Sequence, residues 1–340
     1  MDLPDTDVPE MNLPLAAVLP PDASAEPEAY VVVLGTERIH FLDWGEPAEP
    51  HSAPGVLLIH GLGGTAWEWL PVARRLRRQA HVVAMDLRGH GLSDAPTSGY
   101  EPEQLADDVI AVAEGSGLLP YNAGDAGDAG DAGDAGDATA PLPGDRSGRA
   151  VFVGHGFGGI VAAWAAALLG ERCAGLVLVD GGWEDVRETT GLEPDDWLRE
   201  LAEPPEVMRS MAAFLADRAA FDPATWDADQ ERAARSTVVE VAAGHLLPAI
   251  RPHALARSVE AMFAYRPSLV LPAVEAPIVA LVAGTGEGGL RLGALEAATT
   301  ALGQAGRPPI RVAIFPGVGH NLMRHRPVEV TAAILALPGS

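Results

Sequence analysis

A glycine occupies the position at which this sequence should carry a reactive side chain. Residues 151–159 read V-F-V-G-H-G-F-G-G, an apolar strand pattern that leads into a Gly-rich turn, and an Ala-rich helix pattern follows. This order is typical of the nucleophile elbow, G-x-S-x-G, whose serine attacks an acyl carbon. The frame fits residues 154–158, with Gly156 at its centre. Because glycine has no side chain that can attack, the motif predicts a local structure and leaves the chemistry open.

The same residues admit a cofactor-binding interpretation. Gly154, Gly156 and Gly159 have the G-x-G-x-x-G spacing of a dinucleotide site, and Asp180 ends the next apolar segment, where an acid that binds ribose is expected. This interpretation requires the motif at the first strand and a further strand–helix–strand unit after Asp180. Since the glycine spacing alone is weak evidence, the rest of the chain decides between the two.

Composition restricts the class of protein and its partners. The chain has 340 residues, of which 48% are hydrophobic, and this is enough for one large core with an inserted subdomain. Its net charge of −24 argues against binding to nucleic acid or to an anionic membrane. It shows no signal-peptide pattern and no apolar run of membrane-spanning length, and Cys173 is the single cysteine. We therefore expect a cytoplasmic protein with a small-molecule ligand.

Alternating apolar segments predict an α/β protein with a mostly parallel, eight-stranded sheet and helices on both of its faces. The spacing of two segments predicts an N-terminal hairpin, at 30–34 and 38–42. Short apolar runs predict six buried strands, at 55–59, 81–85, 150–153, 175–179, 277–282 and 309–315. Helical spacing lies between them, at 72–78, 103–113, 160–169 and 290–302.

Three segments do not fit this alternation. Residues 1–29 are rich in proline and acids and predict a disordered tail, and a Gly-Asp-Ala repeat at 124–138 predicts a flexible loop over about 122–147. Residues 183–268 have amphipathic segments and no convincing strand, so we expect an all-helical cap between the sixth and seventh strands. The predicted core is then 30–182 and 269–340. Such a cap lies above the carboxyl ends of the strands, where open α/β sheets bind ligands.

Four motifs, in order, resemble those of the capped α/β-hydrolase fold family over roughly residues 30–338. They are H-G-L-G-G at 60–64, D-L-R-G-H-G-L-S-D at 86–94, the altered elbow at 154–159 and P-G-V-G-H-N at 316–321. They follow the third, fourth, fifth and eighth predicted strands. The resemblance implies the α/β-hydrolase fold. It argues against the dinucleotide interpretation, because the chain after Asp180 continues into the predicted cap.

The resemblance also implies roles for single positions. His320, in the last motif, takes the place of the general base, a task that suits imidazole because it titrates near neutral pH. The acid that orients this base would be Glu287, in G-T-G-E after the seventh strand, where the family usually has Asp; Asp180 is the alternative acid. The backbone N–H groups of Leu62 and Phe157 would form the oxyanion hole, which needs no particular side chain.

Three functions stay open with Gly156 at the nucleophile position. The first is chemistry on a small, largely apolar acyl, ester-like or carbonyl substrate, with His320 and Glu287 as general base and orienting acid and with no covalent intermediate. The second is a catalytically inactive family member that binds a small ligand or a protein partner in its capped pocket. The third is a serine hydrolase whose nucleophile was replaced by glycine. For all three we expect no cofactor and no metal ion.

Overall fold

An eight-stranded sheet forms the centre of the molecule. The computed structural model describes residues 11–48, 53–121, 148–241, 244–284 and 288–337. The strands are β1 (Glu28–Leu34), β2 (Glu37–Asp43), β3 (Gly55–Ile59), β4 (Val82–Met85), β5 (Ala150–His155), β6 (Cys173–Val179), β7 (Val238–Glu240), β8 (Leu246–Pro248), β9 (Ile278–Gly284) and β10 (Arg311–Pro316). All of these strands except β7 and β8 belong to the large sheet.

The large sheet is mostly parallel, as the sequence predicted. Its strand order is β1-β2-β4-β3-β5-β6-β9-β10, and only the β1–β2 and β2–β4 pairs are antiparallel. The predicted hairpin is β1–β2. The parallel strands are buried on both faces, which is why they appear in the sequence as continuous apolar runs.

Helices cover both faces of this sheet. They are α1 (Leu70–Leu76), α2 (Pro102–Gly115), α3 (Phe157–Leu169), α4 (Val186–Thr190), α5 (Pro194–Glu200), α6 (Met211–Phe221), α7 (Ala228–Ser236), α8 (Pro252–Ala264), α9 (Pro267–Val270), α10 (Gly288–Gln304), α11 (Leu322–His325) and α12 (Pro327–Leu335). Leu57 and Ile59 of β3 face the apolar layer that contains α2, α3 and α10, whereas Val56 and Leu58 face the layer of α1 and α12. In the described ranges no helix combines the length and apolarity that a membrane span needs.

Among the described residues, the segment between β6 and β9 contains six helices, α4 to α9. It differs from the all-helical prediction, because β7 and β8 form a small antiparallel hairpin in which Val239 pairs with Leu247. The helical pattern seen around 233–243 ends earlier, since α7 stops at Ser236 and two adjacent valines then continue as a strand. Valine is β-branched and favours extended backbone, which explains the switch.

The N-terminal segment also differs from its prediction. From Met11 onward the chain packs on the core: the Met11 backbone N–H donates to the Val312 carbonyl at 2.6 Å, and Asp22 pairs with Arg77 at 2.9 Å. Ala25 is buried, and residues 28 and 29 already belong to β1. These contacts outweigh the composition that predicted disorder. Residues 1–10 and the predicted repeat loop at 122–147 lie outside the described residues.

Candidate active site

The altered elbow is a tight turn between β5 and α3. Gly156 has φ +52° and ψ −117°, a backbone conformation that residues other than glycine rarely adopt. Its neighbours allow very close backbone approach: a Cβ atom on Gly154 would lie 2.1 Å from the Gly158 carbonyl oxygen, and one on Gly158 would lie 2.4 Å from the His60 carbonyl oxygen. Gly154 and Gly158 are therefore explained by packing of the turn, without a dinucleotide.

A histidine and an aspartate meet beside this turn. The His320 Nδ1 atom lies 2.6 Å from Asp180 Oδ2. The Asp180 side chain is 2% exposed and the His320 side chain is 61% exposed. The acid is therefore buried, whereas the histidine is accessible from the cavity. His320 follows β10, and Asp180 follows β6, two strands away in the sheet. A carboxylate at Nδ1 leaves Nε2 as the atom that can accept a proton, provided that Nδ1 carries the hydrogen.

Asp180 is held from three directions. Its Oδ1 atom accepts hydrogen bonds from the Ala283 backbone N–H at 2.8 Å and from Arg291 Nη1 at 2.7 Å. Burial opposes its ionisation, but the bonds from His320 and Arg291 hold its pKa below the ordinary value. Asp180 has φ +49°, a left-handed conformation that costs about 1–3 kcal/mol and that persists where the surrounding contacts impose it. The acid is thus ionised and fixed in orientation.

The His320 ring borders the position that a nucleophile would occupy. An ideal Cβ atom built on Gly156 would lie 3.2 Å from His320 Nε2, 3.5 Å from its Cε1 and 4.0 Å from the Gly61 Cα atom. The side-chain position at residue 156 therefore falls within reach of the proton-accepting nitrogen. With glycine there, a water-sized group has access to that nitrogen.

The other histidines near the turn support the backbone. His155 is buried; burial, reinforced by His320, lowers its pKa to about 3, so the ring is neutral, and its Nε2–H donates to the His320 carbonyl at 3.1 Å. His60 bridges two loops, because its Nδ1–H donates to the Gly61 carbonyl and its Nε2 accepts from the Leu87 N–H. His90 is also buried, and its Nδ1–H donates to a backbone carbonyl. These contacts place the turn and the base relative to each other.

A cavity of about 650 Å³ opens over this pair. Gly156, Leu62 and Phe157 line its floor, and Phe157 is the first residue of α3, where backbone N–H groups have no partner within the helix. Residues of the insertion form an apolar wall on the other side: Val186, Trp197, Leu201, Phe221 and Met262. The cavity therefore combines a polar base with an apolar upper part.

Three further ionisable residues of the cavity carried no recognisable signal in the sequence. Arg291 bridges two acids, because its Nε donates to Glu184 Oε1 at 2.5 Å while Nη1 donates to Asp180. Burial raises the pKa of Glu184, and its Oε2 atom is buried without a hydrogen-bond partner among the described residues. Burial and the charge of Asp86 raise the pKa of Glu68 to about 8. These side chains come from distant segments, so only the fold brings them together.

The predicted site residues separate into two groups. His320, Asp180, Gly156, Leu62 and Phe157 line one cavity. Glu287, which the sequence favoured as the acid, lies outside the described residues, and the alternative acid is the one bonded to His320. In the described parts of the chain no three side chains of His, Cys, Asp or Glu come together as metal ligands would.

The fold and the strand-end positions of this site define a class of protein. The alpha/beta hydrolase family matches residues 56–334, and the chain belongs to that family. This confirms the resemblance that the four motifs indicated.

Relatives of known name are hydrolases. The chain is 26% identical to the 2-(acetamidomethylene)succinate hydrolase of Mesorhizobium japonicum over 284 residues, which cover 83% of this chain and 87% of that protein. The crystal structure of E-2-(acetamidomethylene)succinate hydrolase superposes with a TM-score of 0.67 at 20% identity, over 92% of this chain and all of that one. A thioesterase domain from the curacin biosynthetic pathway gives a TM-score of 0.60 at 18% identity, over 91% and 99%. Both structural likenesses concern the fold.

Proposed function

We propose that this protein hydrolyses a small, largely apolar acyl substrate with a water molecule activated by His320 and Asp180, without a covalent acyl-enzyme. The observation that carries the proposal is the distance of 3.2 Å between His320 Nε2 and the side-chain position of residue 156. A water bound beside this position would lose a proton to Nε2 as it adds to the acyl carbon, and the imidazolium would return that proton to the leaving oxygen or nitrogen as its bond to the acyl carbon breaks. The buried Asp180 carboxylate would stabilise the resulting imidazolium.

The site supports the remaining requirements of that reaction. The carbonyl oxygen becomes negatively charged when water adds, and the N–H groups of Leu62 and Phe157 would stabilise it as the predicted oxyanion hole. The apolar wall of the cavity suits an acyl chain or an aromatic ring. Asp180 takes the role for which the sequence favoured Glu287. The named relative acts on an acetamido compound, which supports the inclusion of amides among the test substrates.

The orientation of His320 by Asp180 favours this proposal over an inactive ligand-binding protein. Asp180 is buried, ionised and held in a strained backbone conformation while it orients His320. The strained backbone at Asp180 costs stability, and it has a use when the histidine must accept a proton. An inactive protein has no physical need for an oriented base.

The test is turnover of p-nitrophenyl esters of increasing chain length and of the matching anilides. We expect the wild-type protein to be active. His320→Gln should lower its turnover rate by about 10²–10⁴-fold, because general-base catalysis contributes on this scale. Asp180→Asn should lower the rate by a smaller factor. His325→Gln is the matched control, since this histidine also lines the cavity but pairs with Asp222 at 3.0 Å. Wild-type activity that survives His320→Gln would refute the mechanism, and binding of esters without turnover would favour the inactive alternative.

A further inference from the structure

Glu68 is a carboxyl group of the cavity that the proposed mechanism does not use. It lies in the 3₁₀ turn Ala66–Trp69, directly after the loop that contains Leu62, and it lines the same cavity as Gly156 and His320. Its side chain packs on the backbone of Gly64: a Cβ atom on Gly64 would lie 2.6 Å from Glu68 Oε2 and 2.7 Å from Oε1. Glycine at position 64 therefore lets this carboxyl group lie against the loop of the predicted oxyanion hole.

The Glu68 carboxyl group differs from the other acids of this region in having no partner. Among the described residues no hydrogen bond or ion pair holds it, whereas Asp86 accepts hydrogen bonds from His40, from the Ala66 N–H and from the Leu92 N–H. Glu68 is partly exposed and lines the cavity, so its carboxyl group is accessible to a ligand there. A ligand of the cavity is a natural partner for a group that faces it.

The charges around Glu68 favour its neutral form. Burial contributes most and the negative charge of Asp86 adds to it, which raises the pKa of Glu68 to about 8. The cations on the helices packed against this turn are engaged elsewhere. Arg324 of α11 donates to Thr225 and to the Asp222 carbonyl, and Arg232 of α7 lies 3.8 Å from the centre of the Trp67 ring.

On α1, which also packs on the turn, the nearest arginines have other partners. Arg74 pairs with Asp229 at 2.6 Å, and Arg75 donates to the Pro71 carbonyl at 2.5 Å. His325 of α11 pairs with Asp222. Glu68 therefore faces the cavity as a carboxylic acid at neutral pH, and a carboxylic acid can donate a hydrogen bond.

We propose that Glu68 is a third donor to the oxyanion of the reaction, next to the N–H groups of Leu62 and Phe157. A carboxyl group kept neutral in an apolar site can donate a hydrogen bond to a developing oxyanion. This inference rests on the proposed hydrolytic function. It also defines the ligand class: the cavity takes acyl compounds whose carbonyl oxygen gains charge, and it binds tetrahedral oxyanions more tightly than their neutral analogues.

Two substitutions at one position test the role. Glu68→Gln keeps a hydrogen-bond donor of the same shape, whereas Glu68→Met removes it and keeps the length of the side chain. With p-nitrophenyl hexanoate we expect kcat to fall by about 10²–10³-fold in Glu68→Met, with a smaller change in KM, and to be largely retained in Glu68→Gln. We also expect kcat of the wild type to decline as the pH rises above about 8, and this decline to be absent in Glu68→Gln.

Two results would overturn the role of Glu68. One is wild-type kcat in Glu68→Met, and the other is an unchanged alkaline decline in Glu68→Gln. If Glu68→Met does not fold, the pH profile of Glu68→Gln decides alone. A purely structural role would not move this profile.

A binding experiment separates this inference from the proposed function. Methyl hexylphosphonate is a tetrahedral monoanion whose charge stays constant over the pH range of the assay. We expect the wild-type protein to bind it at least tenfold more tightly than Glu68→Met, and this advantage to vanish above about pH 8. If esters are not hydrolysed but the phosphonate follows this pattern, the proposed function fails, and Glu68 is still shown to donate a hydrogen bond to an oxyanion bound in the cavity. Equal affinity of wild type and Glu68→Met at neutral pH would refute the role of Glu68 itself.

Discussion

Replacing Gly156 with serine is expected to create a working nucleophile at a measurable cost in stability. The new Cβ atom would lie 3.2 Å from His320 Nε2, so the ring has to move by a few tenths of an ångström, and the next contact outside this ring, Gly61 Cα, is at 4.0 Å. Because the His320 side chain is 61% exposed, there is room for a shift of this size that keeps the hydrogen bond to Asp180. The hydroxyl group would then lie beside the base, and Asp180 would complete a Ser-His-Asp triad.

The expected cost follows from the backbone. At φ +52° a residue with a Cβ atom loses about 1–3 kcal/mol relative to glycine. A domain of ordinary stability, about 5–15 kcal/mol, stays folded after such a loss. Gly156→Ala is the matched control, since it has the same Cβ atom and the same backbone conformation but no hydroxyl group. Urea unfolding of the two variants should therefore give the same decrease in the free energy of unfolding.

The assay is a rapid-mixing experiment with p-nitrophenyl acetate. We expect Gly156→Ser to release p-nitrophenol in a burst equal to the enzyme concentration and to gain the mass of one acetyl group, and Gly156→Ala to do neither. A folded Gly156→Ser protein without burst and without acetylation would refute the inferred arrangement of base, acid and oxyanion hole. Equal stability of Gly156→Ala and wild type would refute the argument from the backbone conformation.

Three further predictions concern the surrounding charges. Arg291→Met is expected to lower ester turnover by about 10–100-fold, since it removes a hydrogen bond that holds the Asp180 carboxylate. Adding Glu184→Gln to this variant should restore part of the rate, because it removes the repulsion between Glu184 and Asp180. Glu68→Gln should become more stable relative to the wild type as the pH rises from 4.5 to about 8, by up to ~1.4 kcal/mol per pH unit. The reason is that the folded wild type keeps the Glu68 proton in this range, whereas its unfolded chain has lost it. Urea titrations at several pH values measure the difference in the free energy of unfolding. Asp108→Asn should lower the free energy of unfolding by about 3–5 kcal/mol. It leaves Arg88 buried without the carboxylate that now accepts two of its hydrogen bonds, at 2.6 and 2.7 Å. A loss below about 1 kcal/mol would contradict this.

Much of the architecture was predictable because it depends on local patterns. Parallel strands buried on both faces leave continuous apolar runs, and β3 was predicted with its observed limits, Gly55–Ile59. The glycines of the elbow were predictable for a related reason, since a turn with backbone contacts as close as that of Gly154 excludes side chains. Local patterns predicted less well where propensity and packing disagree, as in the hairpin of β7 and β8 and in the N-terminal segment from Met11.

The sequence by itself determined the family, the order of the strands along the chain and the positions of His320 and Gly156, because motifs of fixed spacing carry these features. Only the tertiary structure decided which acid meets the base. Asp180 and Glu287 both follow strands of the sheet, and spacing alone cannot separate them; the hydrogen bond to His320 depends on a left-handed backbone at Asp180. The same holds for Glu68. Its proton depends on burial and on the charge of Asp86, 18 residues away, which are brought to one place by the packing of the sheet and its loops.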